Sequence, residues 1–216
     1  MKSTHIAVSA LTAAGLVAAG VQSAAAEGLL GKRYANVMAG QLFTNDDHLE
    51  KYSDAFFAVE AKANAPVSEH VDLAFRYGRE TLEGDHGEES LDESEGVYLG
   101  SATYHFQPGN HHYNPYLRAR AGLTRVKIEH TEPGHSDTTT HDEFTYAVAA
   151  GADFGLGKHA AIAPELSYHV VDDEGQFIGA VEANYWFNER FFGVAKGEYR
   201  GEHGDIGYFA GAGVHF

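Results

Sequence analysis

Apolar and polar side chains alternate along most of this chain, from residue 33 to the last residue. Because successive side chains of a β-strand point to opposite faces, such an alternation predicts strands. The alternating stretches are separated by segments rich in turn-forming residues. We predict ten strands, at residues 33–43, 53–64, 70–80, 96–106, 115–127, 143–154, 160–171, 176–187, 190–200 and 206–216.

One face of most predicted strands is almost free of polar atoms. The last strand shows this most clearly, with Ile206, Tyr208, Val214 and the terminal Phe216 on one side. Aromatic residues tend to stand at the ends of these faces, and small or aliphatic residues lie between them. Strands of about ten residues with such faces have the length and the aromatic girdles of tilted membrane-spanning strands. We therefore predict an all-β, antiparallel, up-and-down transmembrane barrel of ten strands, with eight strands as the alternative.

The opposite faces of the predicted strands carry charges of both signs in nearly equal number. A ten-stranded barrel is little wider than an eight-stranded one, whose interior is just filled by side chains. Charges enclosed there must be paired, because an unpaired buried charge costs several kcal/mol. We predict a lumen filled by salt bridges. The predicted charge network comprises Glu60, Lys62, Asp72, Arg76, Arg118, Arg120, Glu165, Glu182, Lys196 and Glu198.

The connections between the predicted strands alternate between short turns and longer segments, as a barrel inserted in one direction requires. The longer set includes residues 80–95 and 129–142, and the first of these carries eight acids and no base. Like charges of this density repel one another, so we expect extended, mobile outer loops. Divalent cations that bridge the acids, or bridge them to anionic lipid headgroups, are the alternative.

The amino-terminal sequence and the composition bear on location. Lys2, the apolar stretch 6–21 and the small residues 24–26 form the pattern of a cleaved signal peptide, which we place at 1–26, before a single barrel domain at 27–216. A formal charge of −16 argues against nucleic-acid binding. The chain has no cysteine, so neither disulfides nor a lipid-anchored cysteine are available.

Several local patterns resemble those of small bacterial outer-membrane β-barrels of the OmpA-like and opacity-type (porin family) superfamily. These patterns are the stretch 114–123 with its Pro-Tyr pair, the tight turn at 154–157, the stretch 164–169 with an inward Glu, and the end of the chain at 213–216. The resemblance covers nearly all of the chain after residue 26. It implies the outer membrane of Gram-negative bacteria, contact with its lipids and lipopolysaccharide, and recognition of Phe216 by the barrel-assembly machinery.

Three further hypotheses concern chemistry. His130, His135 and His141 are weak candidates for a metal site, since imidazole and carboxylate side chains suit zinc or copper. Ser167 and His169 share a face with Glu165, but their alternation points into the lumen, where hydrogen-bonded structural roles are expected. We expect a non-enzymatic barrel without a cofactor that has a structural or surface-interaction role. The alternatives are a narrow porin for small solutes or cations and a hydrolase at the outer rim. The candidate residues of that rim are Asp46, Asp47, Asp172, Asp173, His203 and Asp205.

The positions of Pro164 and Trp186 within their strands lead to one prediction each. Pro164 lies inside a predicted strand although proline cannot donate to a β-ladder, so we expect a bulge there. Trp186 has the inward parity of its strand and is expected to pack inside the barrel near one end.

Overall fold

The computed structural model describes residues 29–45, 49, 52–53, 55–86, 89–108, 110, 112–132, 135–201 and 204–216. The predicted signal peptide therefore lies outside the described residues. The described residues form ten strands. These are β1 (Tyr34–Phe43), β2 (Ala55–Pro66), β3 (Val71–His86), β4 (Glu89–His105), β5 (Asn114–Glu132), β6 (His135–Leu156), β7 (Ala160–Val171), β8 (Glu174–Trp186), β9 (Phe191–Arg200) and β10 (Asp205–His215).

The strands form one closed antiparallel barrel in which each strand pairs with its neighbours in sequence. The last strand pairs with the first, from Tyr34 opposite His215 to Phe43 opposite Ile206, so the sheet has no open edge around its circumference. The prediction of ten strands is confirmed, and the eight-stranded alternative is wrong. No helix that is long and apolar enough to cross a membrane occurs among the described residues.

The two ends of the barrel differ. The end that carries Leu29 and Phe216, here called the turn end, also holds the connections between the described residues at 67–70, 106–113, 157–159 and 187–190. At the opposite end, here called the hairpin end, β3, β4, β5 and β6 are 16, 17, 19 and 22 residues long, whereas the other strands have 10 to 13 residues. Four adjacent strands therefore extend beyond the rest of the barrel as one sheet.

This extension corrects the prediction of long outer loops. Residues 80–86 and 89–95 are paired as the two arms of a hairpin, from Glu80 opposite Glu95 up to His86 opposite Glu89. The second predicted loop is likewise paired, up to Glu132 opposite His135. Backbone hydrogen bonds and a buried apolar cluster offset the repulsion between the acids. That cluster contains Leu42, Phe56, Leu82 and Leu91, with Leu49, Tyr52 and Ile128 packed against it.

The two edges of the extension are unequal. On the β3 side, Tyr52 lies against the hairpin and donates a hydrogen bond of 3.2 Å from its hydroxyl to Glu89. On the β6 side, pairing with β7 begins at Thr145 opposite Val171. Residues 135–144 of β6 therefore pair with β5 alone, and most of their side chains are exposed.

The outer wall of the barrel is apolar, as the alternation predicts. Val148 in the middle of β6 is 62% exposed, and Phe144, Leu166 and Tyr208 are exposed in the same way. The expectation of a bulge at Pro164 is wrong, because β6 and β7 keep the same register on both sides of it. Pro164 simply makes no bridge to β6 and remains opposite Val181 on β8.

Candidate functional site

The middle of the lumen contains a cluster of ion pairs that joins β2 and β3 to β9 across part of the barrel interior. Glu60 on β2 lies 2.6 Å from the Lys196 ammonium on β9 and 2.8 Å from the Arg76 guanidinium on β3. Lys196 also lies 3.0 Å from Glu198. These side chains are buried, apart from Arg76, whose side chain is 27% exposed. Each acid in this cluster therefore faces at least one cation.

A second cluster surrounds Glu165 on β7. Its carboxylate accepts a hydrogen bond of 2.6 Å from Arg118 and another from Arg120, and both of these bases come from β5. The Tyr116 hydroxyl donates to the same carboxylate at 3.0 Å. Arg118 also donates to the Thr103 hydroxyl at 2.9 Å. One acid thus holds two guanidinium groups together inside the barrel.

Toward the hairpin end, Arg200 closes the network with two acids that come from different strands. Its guanidinium binds both carboxylate oxygens of Glu80 and lies 3.0 Å from Glu198. The sequence prediction missed Arg200 and Glu80. Glu80 has the parity of Arg76, and Arg200 has the parity of Lys196 and Glu198, so the alternation itself could have identified both.

The remaining predicted network residues have other partners. The Lys62 ammonium lies 5.4 Å from the centre of the Tyr34 ring, and Glu182 accepts a hydrogen bond of 3.1 Å from Asn184. Asp72 lies nearer the turn end, where it accepts from the Gly31 amide at 2.9 Å. Its other partners are the Asn64 amide at 3.0 Å and the imidazole of His105 at 3.3 Å. Asp72 therefore anchors the segment that precedes β1.

An aromatic layer lies across the turn end of the lumen. The ring of Phe192 lies 6.2 Å from Trp186, 6.0 Å from Tyr34 and 5.1 Å from His215, measured between ring centres. Leu29, from the segment before β1, is buried in the same cluster. Trp186 is 3% exposed, at the place that its parity predicts.

A cavity of about 160 Å³ runs along the lumen from this layer, beside the ion pairs of Glu60 and Lys196, toward Glu95 and Gln176 near the hairpin end. Its lining includes Leu29, Lys62, Asp153, Glu182 and Arg200. At about 30 Å³ per water molecule, a volume of this size holds about five of them. The lumen is therefore largely filled by side chains.

The histidines proposed for a metal site lie on β5 and β6 at separate levels. The register places them opposite different residues, with His130 opposite Asp137, His141 opposite Val126 and His135 opposite Glu132. The ring of His130 packs edge-on against Tyr52, with 6.4 Å between ring centres. In the described part of the chain, no group of three or more His, Cys, Asp or Glu side chains is arranged to hold a metal ion.

The luminal serine and histidine form a structural pair. His169 and Ser167 are hydrogen-bonded at 3.1 Å, and Ser167 donates to the carbonyl oxygen of Ile178 at 3.2 Å. Both side chains are buried. Glu165, the acid on the same face, is bound to two arginines instead of orienting the histidine.

The extended sheet carries exposed ion pairs on its outer wall. Arg125 on β5 donates two hydrogen bonds, of 2.6 and 2.8 Å, to Asp142 on β6. These hydrogen bonds hold the pKa of the Asp142 carboxyl below its usual value. Lys127 and Glu129 form a second exposed pair at 3.2 Å.

Known proteins identify the family. The family model for the outer membrane protein beta-barrel domain matches residues 10–196, which is most of the chain. The chain belongs to this family. It is therefore a protein of the bacterial outer membrane, and the resemblance to small OmpA-like and opacity-type barrels is confirmed. No curated protein sequence matches the chain.

Several solved structures with this outer-membrane barrel fold are similar to this chain, although their sequence identity to it is low. The outer membrane protease OmpT from Escherichia coli has a TM-score of 0.52 and 7% identity, with 86% of this chain and 97% of that one covered. The NanC porin has a TM-score of 0.51 and 6% identity, over 84% of this chain and all of its own. The attachment invasion locus protein Ail of Yersinia pestis has a TM-score of 0.48 and 14% identity, over 88% and 99%. Because a protease and a porin share this fold, the fold alone does not define an activity.

Proposed function

We propose that this outer-membrane barrel is a non-enzymatic protein that does not conduct solutes and displays its acidic hairpin end as a structural or interaction surface. The observation that carries the proposal is the pair of obstructions inside the lumen. The aromatic layer around Phe192 narrows the turn end, and the ion pairs of Glu60 and Lys196 narrow the middle, where the cavity passes beside them. Short turns lie on the periplasmic side in barrels of this kind, and this asymmetry supports an acidic sheet outside the cell.

The luminal ion pairs support a closed state because their disruption is costly. Removal of one partner from a buried ion pair costs about 3–5 kcal/mol, since the other charge remains buried and uncompensated. A solute too large for the cavity of about 160 Å³ would have to separate Glu165 from Arg118 and Arg120, or Glu60 from its two cations. In a wider, water-filled pore, solvent could hydrate each separated charge; in this narrow lumen it cannot.

A narrow cation channel is the second candidate. Acids gather where the lumen meets the extended sheet, and among them Glu80 and Glu95 line the cavity. A negative mouth of this kind raises the local cation concentration. The aromatic layer would then have to move aside for ions to pass.

Planar-bilayer recordings on refolded protein separate the two candidates. We expect no steady channels from the wild-type barrel. Replacement of Trp186 and Phe192 by glycine removes the aromatic layer, and we expect it to produce conductance steps. The matched control replaces Tyr185 and Phe191, which precede them on the outer wall and are 51% and 49% exposed. Steady cation-selective channels in the wild-type protein would reject the closed barrel.

The rim hydrolase receives little support. Asp172 and Asp173 occupy a tight turn with positive φ angles of 45° and 69°. Asp205 accepts a hydrogen bond of 3.1 Å from the Asn45 amide and so helps to hold the rim together. The other rim candidates, Asp46, Asp47 and His203, lie outside the described residues. Cleavage of peptide or ester substrates by the wild-type protein, abolished by Asp205→Asn, would overturn the non-enzymatic assignment.

Two partners belong to the same proposal. Phe216 is 71% exposed at the end of β10, and the barrel-assembly machinery would read it during insertion. Divalent cations could bridge the acids of the extended sheet to lipid headgroups. Loss of outer-membrane insertion in Phe216→Ser, with Val67→Ser as the exposed turn-end control, tests the first partner.

A further inference from the structure

The basic residues of this acidic protein occupy a restricted set of places. Six bases line the lumen, namely Lys62, Arg76, Arg118, Arg120, Lys196 and Arg200, and four lie at the turn end, namely Lys32, Arg33, Lys158 and Arg190. The other described bases are Arg79, Arg125 and Lys127, and all three project outward near the hairpin end from β3 and β5, the two strands that flank β4. Among the described residues near the hairpin end, these three bases therefore form the one basic part of the outer wall.

Strand register brings two of these bases close together. Arg79 on β3 and Arg125 on β5 are both directly opposite Gly96 on β4. Two strand spacings separate them, or roughly 10 Å between Cα atoms. Gly96 has no side chain, so a shallow trough lies between the two arginine backbones, with the Tyr98 ring over part of its floor. The Arg125 guanidinium now binds Asp142 on β6 and would turn toward β4 to share an anion with Arg79. Arginine side chains are long enough to reach one shared anion across such a gap.

The neighbouring rows of outward-facing residues on β3, β4 and β5 give this trough an amphipathic character. One rung toward the turn end, the rings of Tyr77 and Tyr98 lie 5.1 Å apart, and Leu123 is opposite Tyr98. One rung toward the hairpin end, Ser94 lies between Thr81 and Lys127. Along the outer wall the order is thus aromatic, then guanidinium, then hydroxyl and ammonium. Aromatic girdles mark the interface between acyl chains and headgroups in such barrels.

The bases are available to a ligand. Arg79 is exposed and has no ion pair to any residue that the structure describes. Arg125 and Lys127 are paired with Asp142 and Glu129, but the side chains of both bases are at least half exposed, at 61% and 50%. Exposed ion pairs contribute little to stability, so a phosphate can replace a carboxylate partner. Arginine binds phosphate through two parallel hydrogen bonds.

We propose that Arg79, Arg125 and Lys127 form a binding site for the phosphorylated headgroup of an outer-leaflet lipid. The acyl chains of this lipid lie against Tyr77, Tyr98 and the apolar wall below, and its phosphate lies over Gly96. The charge of the trough is complementary to phosphate, whereas the surrounding sheet is acidic. This site is independent of whether the lumen conducts.

The test measures lipopolysaccharide affinity of the full chain refolded in detergent micelles, by thermophoresis of protein labelled at its amino terminus. We expect Arg79→Gln with Arg125→Gln to weaken binding by about tenfold or more, because charge-assisted hydrogen bonds are lost. The matched control is Arg33→Gln with Arg190→Gln, which changes the charge equally at the exposed turn end. Heat-modifiable gel migration checks that every variant folds.

Two ligands distinguish the source of the phosphate. Dephosphorylated lipopolysaccharide should bind wild-type protein as weakly as the double variant binds the phosphorylated lipid. Inorganic phosphate at millimolar concentration should compete poorly, since it lacks the acyl chains. Equal binding of the dephosphorylated lipid, equal losses in the turn-end control, or full competition by inorganic phosphate would each overturn the lipid site.

Discussion

Lys196 on β9 donates a hydrogen bond of 2.6 Å to Glu60 on β2, although 136 residues of chain separate them. Strands β1 and β10 lie between these two strands in the closed sheet, so the bond crosses part of the lumen. Lys196 Nζ also lies 4.2 Å from the centre of the Phe209 ring. The contact therefore joins the beginning and the end of the barrel through its interior.

The first prediction concerns this contact. Glu60→Gln should lower the free energy of unfolding by about 3–5 kcal/mol, because it leaves Arg76 and Lys196 without their shared acid in the buried network. Urea titration of the barrel in lipid vesicles measures the change. Asp142→Asn, which removes the exposed partner of Arg125, is the control and should change stability little. Similar effects of the two substitutions would show that the luminal pairs do not hold the barrel together.

The second prediction concerns the lipid-facing wall. Val148→Arg places a charge at the middle of the apolar band and should cost about 2–4 kcal/mol of folding free energy in a bilayer. Thr138→Arg is the matched control, since it lies on the outward side of the same strand but in the extension, opposite Glu129. It should be nearly neutral in the same vesicle assay. Equal costs at both positions would contradict the placement of the membrane.

The third prediction concerns close approach of β1 and β10. A Cβ atom at Gly211 would overlap the carbonyl oxygen of Val37 on the neighbouring strand. Gly211→Ala should therefore destabilise the barrel by about 1–3 kcal/mol. Gly179 and Gly197 have nothing within 4 Å of such an atom, so alanine at either position should be neutral or slightly stabilising. The temperature at which each variant loses the gel migration of the folded barrel ranks the three variants. A neutral effect of Gly211→Ala would show that β1 and β10 do not approach this closely at Gly211.

The fourth prediction concerns the segment before β1. Asp72→Ala removes the acceptor of the Gly31 amide, so exchange of that amide with deuterium should accelerate by about tenfold. Nuclear magnetic resonance in micelles can follow this single amide. Glu69→Ala, an exposed acid in the turn just before β3, is the control and should leave the exchange rate unchanged. Unchanged exchange in Asp72→Ala would mean that the segment is held by its apolar contacts alone.

The alternation predicted strand number, strand direction and face correctly because these depend on local geometry. Val148 lies on the lipid side and Glu60 in the lumen since their parity decides the face. The same parity would have placed Arg200 and Glu80 in the lumen. Glu80 was missed because the acids around it suggested a loop, and Arg200 was left out of the network at the end of its predicted strand.

The extended hairpins could not be predicted in this way. Local acid density suggests repulsion, whereas the stability of the hairpins depends on distant residues. Leu82 and Leu91 are buried against Leu42 and Phe56 from β1 and β2. No local pattern near residue 82 reveals that these side chains will meet.

The sequence by itself determined the membrane barrel, since a period of two and aromatic girdles follow from strand geometry and bilayer thickness. It also determined which charges enter the lumen. Only the tertiary structure decided how they pair, because the contact between Glu60 and Lys196 depends on closure of the sheet between β1 and β10. Register across three strands likewise decided that Arg79 and Arg125 flank Gly96, which is a relationship between distant segments that no local pattern contains.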